Sequence, residues 1–247
     1  RMSDTPTVAV FRPDDVRLEE AVAYLESRGV DVIPDPMLSI RATGESPRTD
    51  GEYTVFTSKT GVELAADAGW SPGESKLVAI GPKTATAAER SGFEVDLVPE
   101  AYTSSGLVEA LAPAVDGATV EVARSDHGSA VLLDGLQAAG AYIHETVLYK
   151  LVIPEGAGRS VSLAAEGGLD VALFTSSLTV EHFVQVAEER GVAEAAMDGL
   201  AAAVVGVIGP PTAETADELG IRVDVVPSEA EFEVLARETL KYAGIVE

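Results

Sequence analysis

Apolar residues recur along the chain in two rhythms. Short runs at Val8–Phe11, Tyr53–Phe56, Leu77–Ile80, Val120–Ala123, Val171–Phe174 and Val204–Ile208 are apolar or β-rich. Leu77–Ile80 and Val204–Ile208 show no alternation, which predicts strands buried on both faces, as in parallel sheets. Thr60–Ala68 and Thr179–Glu189 carry apolar positions at helical spacing. Pro82 and Pro210 follow strands directly. Each is placed to open a helix, where a fixed φ and a missing N–H do no harm. Strand, tight turn and helix in succession predict an α/β protein whose sheets are parallel and covered by helices on both faces.

The pattern occurs twice. Phe56-Thr57-Ser58 is followed by Val62-Glu63, and Phe174-Thr175-Ser176 is followed by Val180-Glu181 at the same offset. Ile80-Gly81-Pro82-Lys83-Thr84-Ala85 matches Ile208-Gly209-Pro210-Pro211-Thr212-Ala213. Downstream, Gly92 matches Gly220, and Val95-Asp96-Leu97-Val98-Pro99 matches Val223-Asp224-Val225-Val226-Pro227. A weaker pair sets Val8–Arg12 against Val120–Arg124. The repeat predicts two similar halves with a working site in a cleft between them. Breaks between the blocks fall at Pro34-Asp35-Pro36, in the polar stretch Arg41–Gly51, and after the extended run Thr146–Ile153.

Composition narrows the classes. At 247 residues the chain suits two domains better than one. No window approaches the roughly 18 apolar residues of a membrane span. The opening Arg1-Met2-Ser3-Asp4 has no apolar run behind it, so no signal peptide is expected, and a soluble, cytoplasmic protein is. The absence of cysteine excludes disulfides, thiolate nucleophiles and cysteine-ligated metals. His127, His144 and His182 share no ligand spacing, so no metal is expected. A net charge of −24 argues against nucleic acid and anionic membranes as partners. Five lysines and twelve arginines against 41 carboxylates point to a halophilic protein, because concentrated salt screens such self-repulsion.

The repeated loops all fall after strands, where ligands bind in open α/β sheets. At Gly81–Thr84 and Gly209–Thr212, glycine permits close approach, the helix start offers N–H groups, and threonine adds a hydroxyl. Ser58 and Ser176 hold similar places. Such neutral donors suit anions; ordinary helix capping is the competing explanation. Arg12 and Arg124 each follow the first strand of their half, facing the cleft or forming surface ion pairs. Tyr149, in the run Leu148-Tyr149-Lys150-Leu151, either presents a proton donor or packs in a core. Gly206-Val207-Ile208-Gly209 lacks the third glycine of a dinucleotide fingerprint, and Lys83-Thr84 lacks the upstream glycine of a P-loop. Ser125, Asp126, His127 and Ser129 are too close in sequence for a catalytic triad, and no nucleophile elbow is present. Trp70 is expected to pack.

These motifs together resemble the uroporphyrinogen-III synthase family. The resemblance runs through Arg12, Val55–Glu63, Ala79–Ala85, Ala123–Gly128, Thr146–Lys150, Leu173–Phe183 and Val207–Ala216. It implies two similar flavodoxin-like lobes with parallel sheets, joined by two extended linkers. One lobe would comprise residues 1–34 with 154–247 and the other 38–147, with linkers at 35–37 and 148–153. It also implies the cyclisation of hydroxymethylbilane, a linear tetrapyrrole with eight carboxylates, with loss of water and inversion of the last ring. No cofactor is implied, and a monomer is expected. Tyr149 matches the family's tyrosine near the linker, Thr84 and Thr212 its cleft threonines, and Ser58, Ser176 and Ser177 its polar loops; the neighbouring Thr57 and Thr175 are expected to bind substrate with them. Lys59 stands where the family varies. Two other readings remain open: a non-enzymatic tetrapyrrole-binding or regulatory protein on the same scaffold, and a bilobed transferase, for which no diphosphate clamp is evident.

Overall fold

A computed structural model describes residues 5–247, so the reading of Arg1–Asp4 lies outside the described residues. From the start run β1 (Thr7–Phe11), α1 (Val16–Glu26), β2 (Asp31–Pro34) and β3 (Ser39–Ala42). Next come β4 (Tyr53–Phe56), α2 (Lys59–Asp67), β5 (Lys76–Ala79), α3 (Pro82–Arg90) and α4 (Ser104–Leu111). They are followed by β6 (Thr119–Ser125), α5 (Ala130–Ala138), β7 (Tyr142–Val152) and α6 (Arg159–Ala165). The last stretch holds β8 (Val171–Phe174), α7 (Ser177–Glu189), α8 (Ala193–Ala202), β9 (Val204–Val207), α9 (Pro210–Glu218) and α10 (Phe232–Tyr242).

The chain divides into two compact units. The first joins the segment up to Ser39 with Val152–Glu247, and the second is Ile40–Leu151. The first unit has the strand order β2-β1-β8-β9, with every pair parallel. The second has the order β3-β7-β6-β4-β5, in which β4 pairs parallel with β5 and β6, and β6 with β7. The sequence repeat pairs β1 with β6, β8 with β4, and β9 with β5. The order β2-β1-β8-β9 then maps onto β7-β6-β4-β5, so the second unit is a circular permutation of the first, with β3 added at its edge.

Strand alternation sorts the cores. In the first unit Ala9, Phe11, Ala172 and Phe174 face one helical layer, while Val8, Val10, Val171 and Leu173 face the other. Phe11 stacks on Phe174 with ring centroids 4.3 Å apart, and Phe183 meets both edge-on. In the second unit Val55, Val78, Val120 and Val122 pack on α4 and α5, while Phe56, Leu77 and Ala123 meet α2, α3 and Trp70. Two-sided burial explains why the strand sequences do not alternate. Gly206 has a packing reason: a Cβ there would come within 2.3 Å of Thr239 Oγ1 on α10.

The repeated Val-Asp blocks also have one. Leu97 and Val225 form isolated parallel bridges to Val78 and Gly206. Asp96 accepts the N–H of Leu77 at 2.7 Å and Asp224 that of Val205 at 2.9 Å, so each aspartate ties its loop to the outer strand. The expected connectors differ in detail. Asp35 is buried and accepts the N–H groups of Gly158 and Ser160, capping α6 from 123 positions away in the first case. Met37 is fully buried in the first unit's core. Residues 148–152 are the end of β7, with Leu148 and Tyr149 buried in the second unit. The flanking prolines suggested an extended linker, and within that stretch Asp35 also anchors the first unit. The stretch Arg41–Gly51 begins inside β3, and just past the strand the Thr43 N–H donates to the carbonyl of Leu148 at 3.0 Å.

Candidate functional site

All the candidate loops leave the carboxyl ends of parallel strands. Ser58 and Ser176 are N-caps of α2 and α7, accepting the N–H of Gly61 at 3.0 Å and of Thr179 at 3.2 Å. The capping explanation is therefore true of both serines. Their hydroxyl protons are spent differently. Ser176 Oγ points its proton at Thr179 Oγ1, 3.3 Å away. Ser58 Oγ also accepts from the Tyr149 hydroxyl at 2.8 Å. Both Ser58 lone pairs are then occupied, and its own proton is left to donate outward.

Tyr149 is only 6% exposed and packs with Phe56, Val62 and Leu148. It is thus both a core ring and a placed donor. The two alternatives read from the sequence describe different ends of one side chain.

The Gly-Pro loops behave differently. Gly81 and Gly209 are N-caps without a side-chain cap, followed by proline at N1. Thr84 and Thr212 are nearly buried, at 4% and 3% exposure. Neither hydroxyl has a hydrogen-bond partner among the described residues. Neither oxygen is among the buried unpartnered polar atoms, so both hydroxyls reach the surface and are free to meet a partner from outside. The starts are unequal: Lys83 and Thr84 bring N–H groups to α3, whereas Pro211 removes one from α9. A Cβ on Gly81 would lie 3.3 Å from Tyr102 Cβ, while on Gly209 its nearest contact would be Pro211 Cδ at 3.9 Å. The space in front of Gly209 is open; that at Gly81 is used by Tyr102.

The remaining candidates separate cleanly. Thr175 Oγ1 donates to the Phe11 carbonyl at 2.7 Å, tying the β8 loop to β1. Ser177 Oγ donates to the Pro211 carbonyl at 3.3 Å, linking the two repeated loops of the first unit. Thr57 is half-buried with no hydrogen bond from its hydroxyl among the described residues. Lys59 is exposed and 3.5 Å from Glu63. Arg124 is 4% exposed and committed: its guanidinium meets Glu145 at 2.6 Å and the Ser129 carbonyl at 2.7 Å. The guanidinium is buried while Glu145 is partly exposed, so Arg124 is a committed partner and not a free donor.

Arg12, its counterpart, is half-buried and has no ion-pair or hydrogen-bond partner among the described residues. Burial lowers its pKa from the ordinary value, and nearby Arg17 acts the same way against Asp15 and Glu20. Its Cζ lies 5.0 Å from the ring centre of Phe232.

Arg12, Arg17, Thr175, Ser176, Ile208 and Phe232 help line a cavity of about 280 Å³ in the first unit. Arg17 and Phe232 were missed in the sequence. For Phe232 a signal was available past the repeated Pro99 and Pro227, where each half carries an aromatic residue, Tyr102 just before α4 and Phe232 at the start of α10; nothing marked Arg17.

The histidines stay outside these loops. His127 Nδ1 pairs with Asp126 at 2.9 Å, and neither Ser125 nor Ser129 contacts its ring: one accepts the His127 N–H and the other caps α5. His144 pairs with buried Glu121 at 2.7 Å, and His182 bonds the Met37 carbonyl. No group of metal-binding side chains occurs among the described residues. No helix among them is long and apolar enough to cross a membrane.

The family described as uroporphyrinogen-III synthase HemD matches residues 19–237. A Methanothermobacter thermautotrophicus protein provisionally described as a uroporphyrinogen-III synthase is 33% identical over 230 residues, covering 87% of this chain and 90% of its own. The uroporphyrinogen-III synthase of Chlorobaculum parvum is 23% identical, covering 90% and 92%. Among solved structures, a mutant uroporphyrinogen III synthase of Thermus thermophilus matches with a TM-score of 0.69 at 18% identity, over 97% of this chain and 98% of that one. The Helicobacter pylori uroporphyrinogen-III synthetase matches with a TM-score of 0.56 at 15% identity, over 96% and 99%.

Proposed function

The chain belongs to the uroporphyrinogen-III synthase family, and from that premise we propose that it cyclises hydroxymethylbilane with loss of water and inversion of the last pyrrole ring. The family makes it an enzyme of the lyase class. The observation that carries the site assignment is the pair Tyr149–Ser58, a buried phenol donating at 2.8 Å to a half-buried serine that keeps its own proton.

The reaction needs two things from the protein. The terminal hydroxyl must leave as water, which requires a proton at that oxygen. The pyrrole nitrogen supplies the electron pair that expels it, giving an azafulvene. Tyr149 serves as the acid through Ser58: the serine proton goes to the leaving oxygen and the tyrosine proton refills the serine. The substituted carbon of the last ring then attacks, forming a spiro intermediate that fragments and recloses with the ring inverted. The final loss of a ring proton returns what was taken. The choice of carbon is a matter of holding the substrate in one geometry. Neutral donors such as Thr84, Thr212 and their helix N–H groups suit that task, because they grip carboxylates and still release product.

Each of these features is built within one chain, which supports action as a monomer; sedimentation equilibrium checks it. Place in a biosynthetic family supports a cytoplasmic location, which fractionation checks. The decisive assay supplies freshly made hydroxymethylbilane without metal or nucleotide and separates the two porphyrin isomers. Enrichment of the inverted isomer over the spontaneous product is the expected result. A ratio equal to the spontaneous one would refute this reading and favour the binding-protein alternative.

A further inference from the structure

Resting on that reading of the substrate, we infer that the cavity at Arg12 and Phe232 is a subsite for a single pyrrole ring, which it seats against Phe232 with a ring carboxylate on the Arg12 guanidinium. The first observation is the isolation of Arg12. The protein carries 41 carboxylates against 17 lysines and arginines. A half-buried guanidinium that makes no ion pair or hydrogen bond among the described residues, with only the longer-range pull of Asp15 and Glu20, runs against that excess. Arg17, which lines the same cavity, is already held by Asp15 at 2.6 Å. Arg12 therefore brings to this cavity the cation that no carboxylate holds in direct contact.

Size and polarity narrow the ligand. About 280 Å³ lies at the small end of ligand cavities, so it fits one ring and its side chains, not four rings. Phe232, Leu38 and Ile208 supply apolar wall, and Thr175 and Ser176 form the polar side. Arg12 and Phe232 also border a second groove of about 220 Å³, which Glu20, Glu231 and Glu233 line. Those carboxylates repel an anion on that side and leave the threonine and serine side open to it. A flat, electron-rich ring bearing carboxylates matches this combination of aromatic wall and unpaired cation.

The subsite belongs to one half only. The corresponding arginine of the second unit, Arg124, is consumed by Glu145 and the Ser129 carbonyl. Two units alike in backbone are thus unequal as anion receptors.

The test measures KM, kcat and isomer ratio with hydroxymethylbilane. It also measures saturation-transfer NMR with a monopyrrole carrying one acetate and one propionate. Arg12→Gln should raise KM about ten- to a hundredfold, the range for one charge-assisted hydrogen bond, with kcat changed far less. Arg12→Lys should recover part of that loss. Phe232→Leu should raise KM about two- to tenfold. The monopyrrole signal should vanish in Arg12→Gln and persist in Arg28→Gln, which removes an exposed charge elsewhere on the same unit. If the wild type makes the inverted isomer while Arg12→Gln keeps KM and the monopyrrole signal, the subsite is wrong and the function stands. If the wild type makes only the spontaneous isomer, the functional reading fails. The subsite then stands if the monopyrrole signal is present and depends on Arg12, and falls if there is none. Should Arg12→Gln not fold, Phe232→Leu decides by the same readouts.

Discussion

Replacing Tyr149 by phenylalanine removes one oxygen and leaves the ring packed against Phe56, Val62 and Leu148. The hydrogen bond to Ser58 Oγ at 2.8 Å is lost. Ser58 is half-buried, so water can take the vacated lone pair, and the penalty should be that of an ordinary hydrogen bond, about 1 kcal/mol. In a chain of this size that lowers Tm by about 2–4 °C. The kinetic effect should be larger. A positioned general acid contributes about 10²–10⁴-fold. Electron push from the pyrrole nitrogen already assists departure, and Ser58 retains a proton, so the low end applies, about a hundredfold in kcat or 2.7 kcal/mol. KM should hardly move. Single-turnover kinetics with freshly made hydroxymethylbilane, acid-quenched and resolved by isomer, reads the chemical step directly. If the two hydroxyls act as one relay, Ser58→Ala and Tyr149→Phe should be far from additive, the double variant being little slower than the worse single one. An unchanged single-turnover rate in Tyr149→Phe would refute the reasoning and return the residue to the core. Additive losses would refute the relay alone.

Three further outcomes follow from the structure. Thr84→Ala and Thr212→Ala should each raise KM by the worth of one neutral hydrogen bond, about 0.5–1.5 kcal/mol, with unchanged melting, because neither hydroxyl has a partner among the described residues to lose; a loss of Tm without a change in KM would reassign them to folding. Glu145→Ala should destabilise by about 2–3 kcal/mol, somewhat below a fully buried pair, since it strands the 4%-exposed Arg124 while Glu145 itself is partly exposed; urea titration reads this, and an unchanged midpoint would refute it. We propose that stability depends on molar salt, because the −24 net charge repels itself when unscreened; a Tm that stays flat from molar to near-zero potassium chloride would refute the halophilic reading.

Elements with one local cause were readable in the sequence. Tyr53–Phe56 and Val171–Phe174 are strands with the predicted limits, because apolar β-rich runs between turns have no competing use. Pro82 and Pro210 start helices as their missing N–H requires. What escaped was long-range. Nothing near Asp35 announces that its carboxylate caps a helix at Gly158, so its flanking prolines suggested a connector. Leu148–Val152 read as extended, which is true of a linker and of a strand alike; only pairing decides, and β7 takes them. At the candidate site, the positions of the hydroxyls were legible from the repeat, but their partners were not. The same repeat that equates Ser58 with Ser176 hides that only one of them has a tyrosine behind it. It also equates Arg12 with Arg124, although Glu145, outside the repeated block, neutralises the second.

The way the first unit is assembled has consequences for how the chain acquires its structure. Strand β1 lies between β2 and β8, and Thr7 bonds Asp170 across 163 positions. The second unit, by contrast, is continuous from Ile40 to Leu151. Closing a span that long costs about 2–3 kcal/mol more than closing a ten-residue loop. On a growing chain, β1 must also wait for β8 to be synthesised, whereas the inserted unit has all of its strands sooner. The inserted unit is thus expected to fold first, and by drawing its own ends into a compact body it shortens the gap that β1 and β8 must bridge. The single tryptophan, Trp70, lies in the inserted unit's core, wedged edge-on against Phe56 and Phe93. Its fluorescence therefore times the first of these events and is blind to the second, while far-ultraviolet circular dichroism follows both. A lag between the two signals during refolding measures how long the flanking segments search for each other.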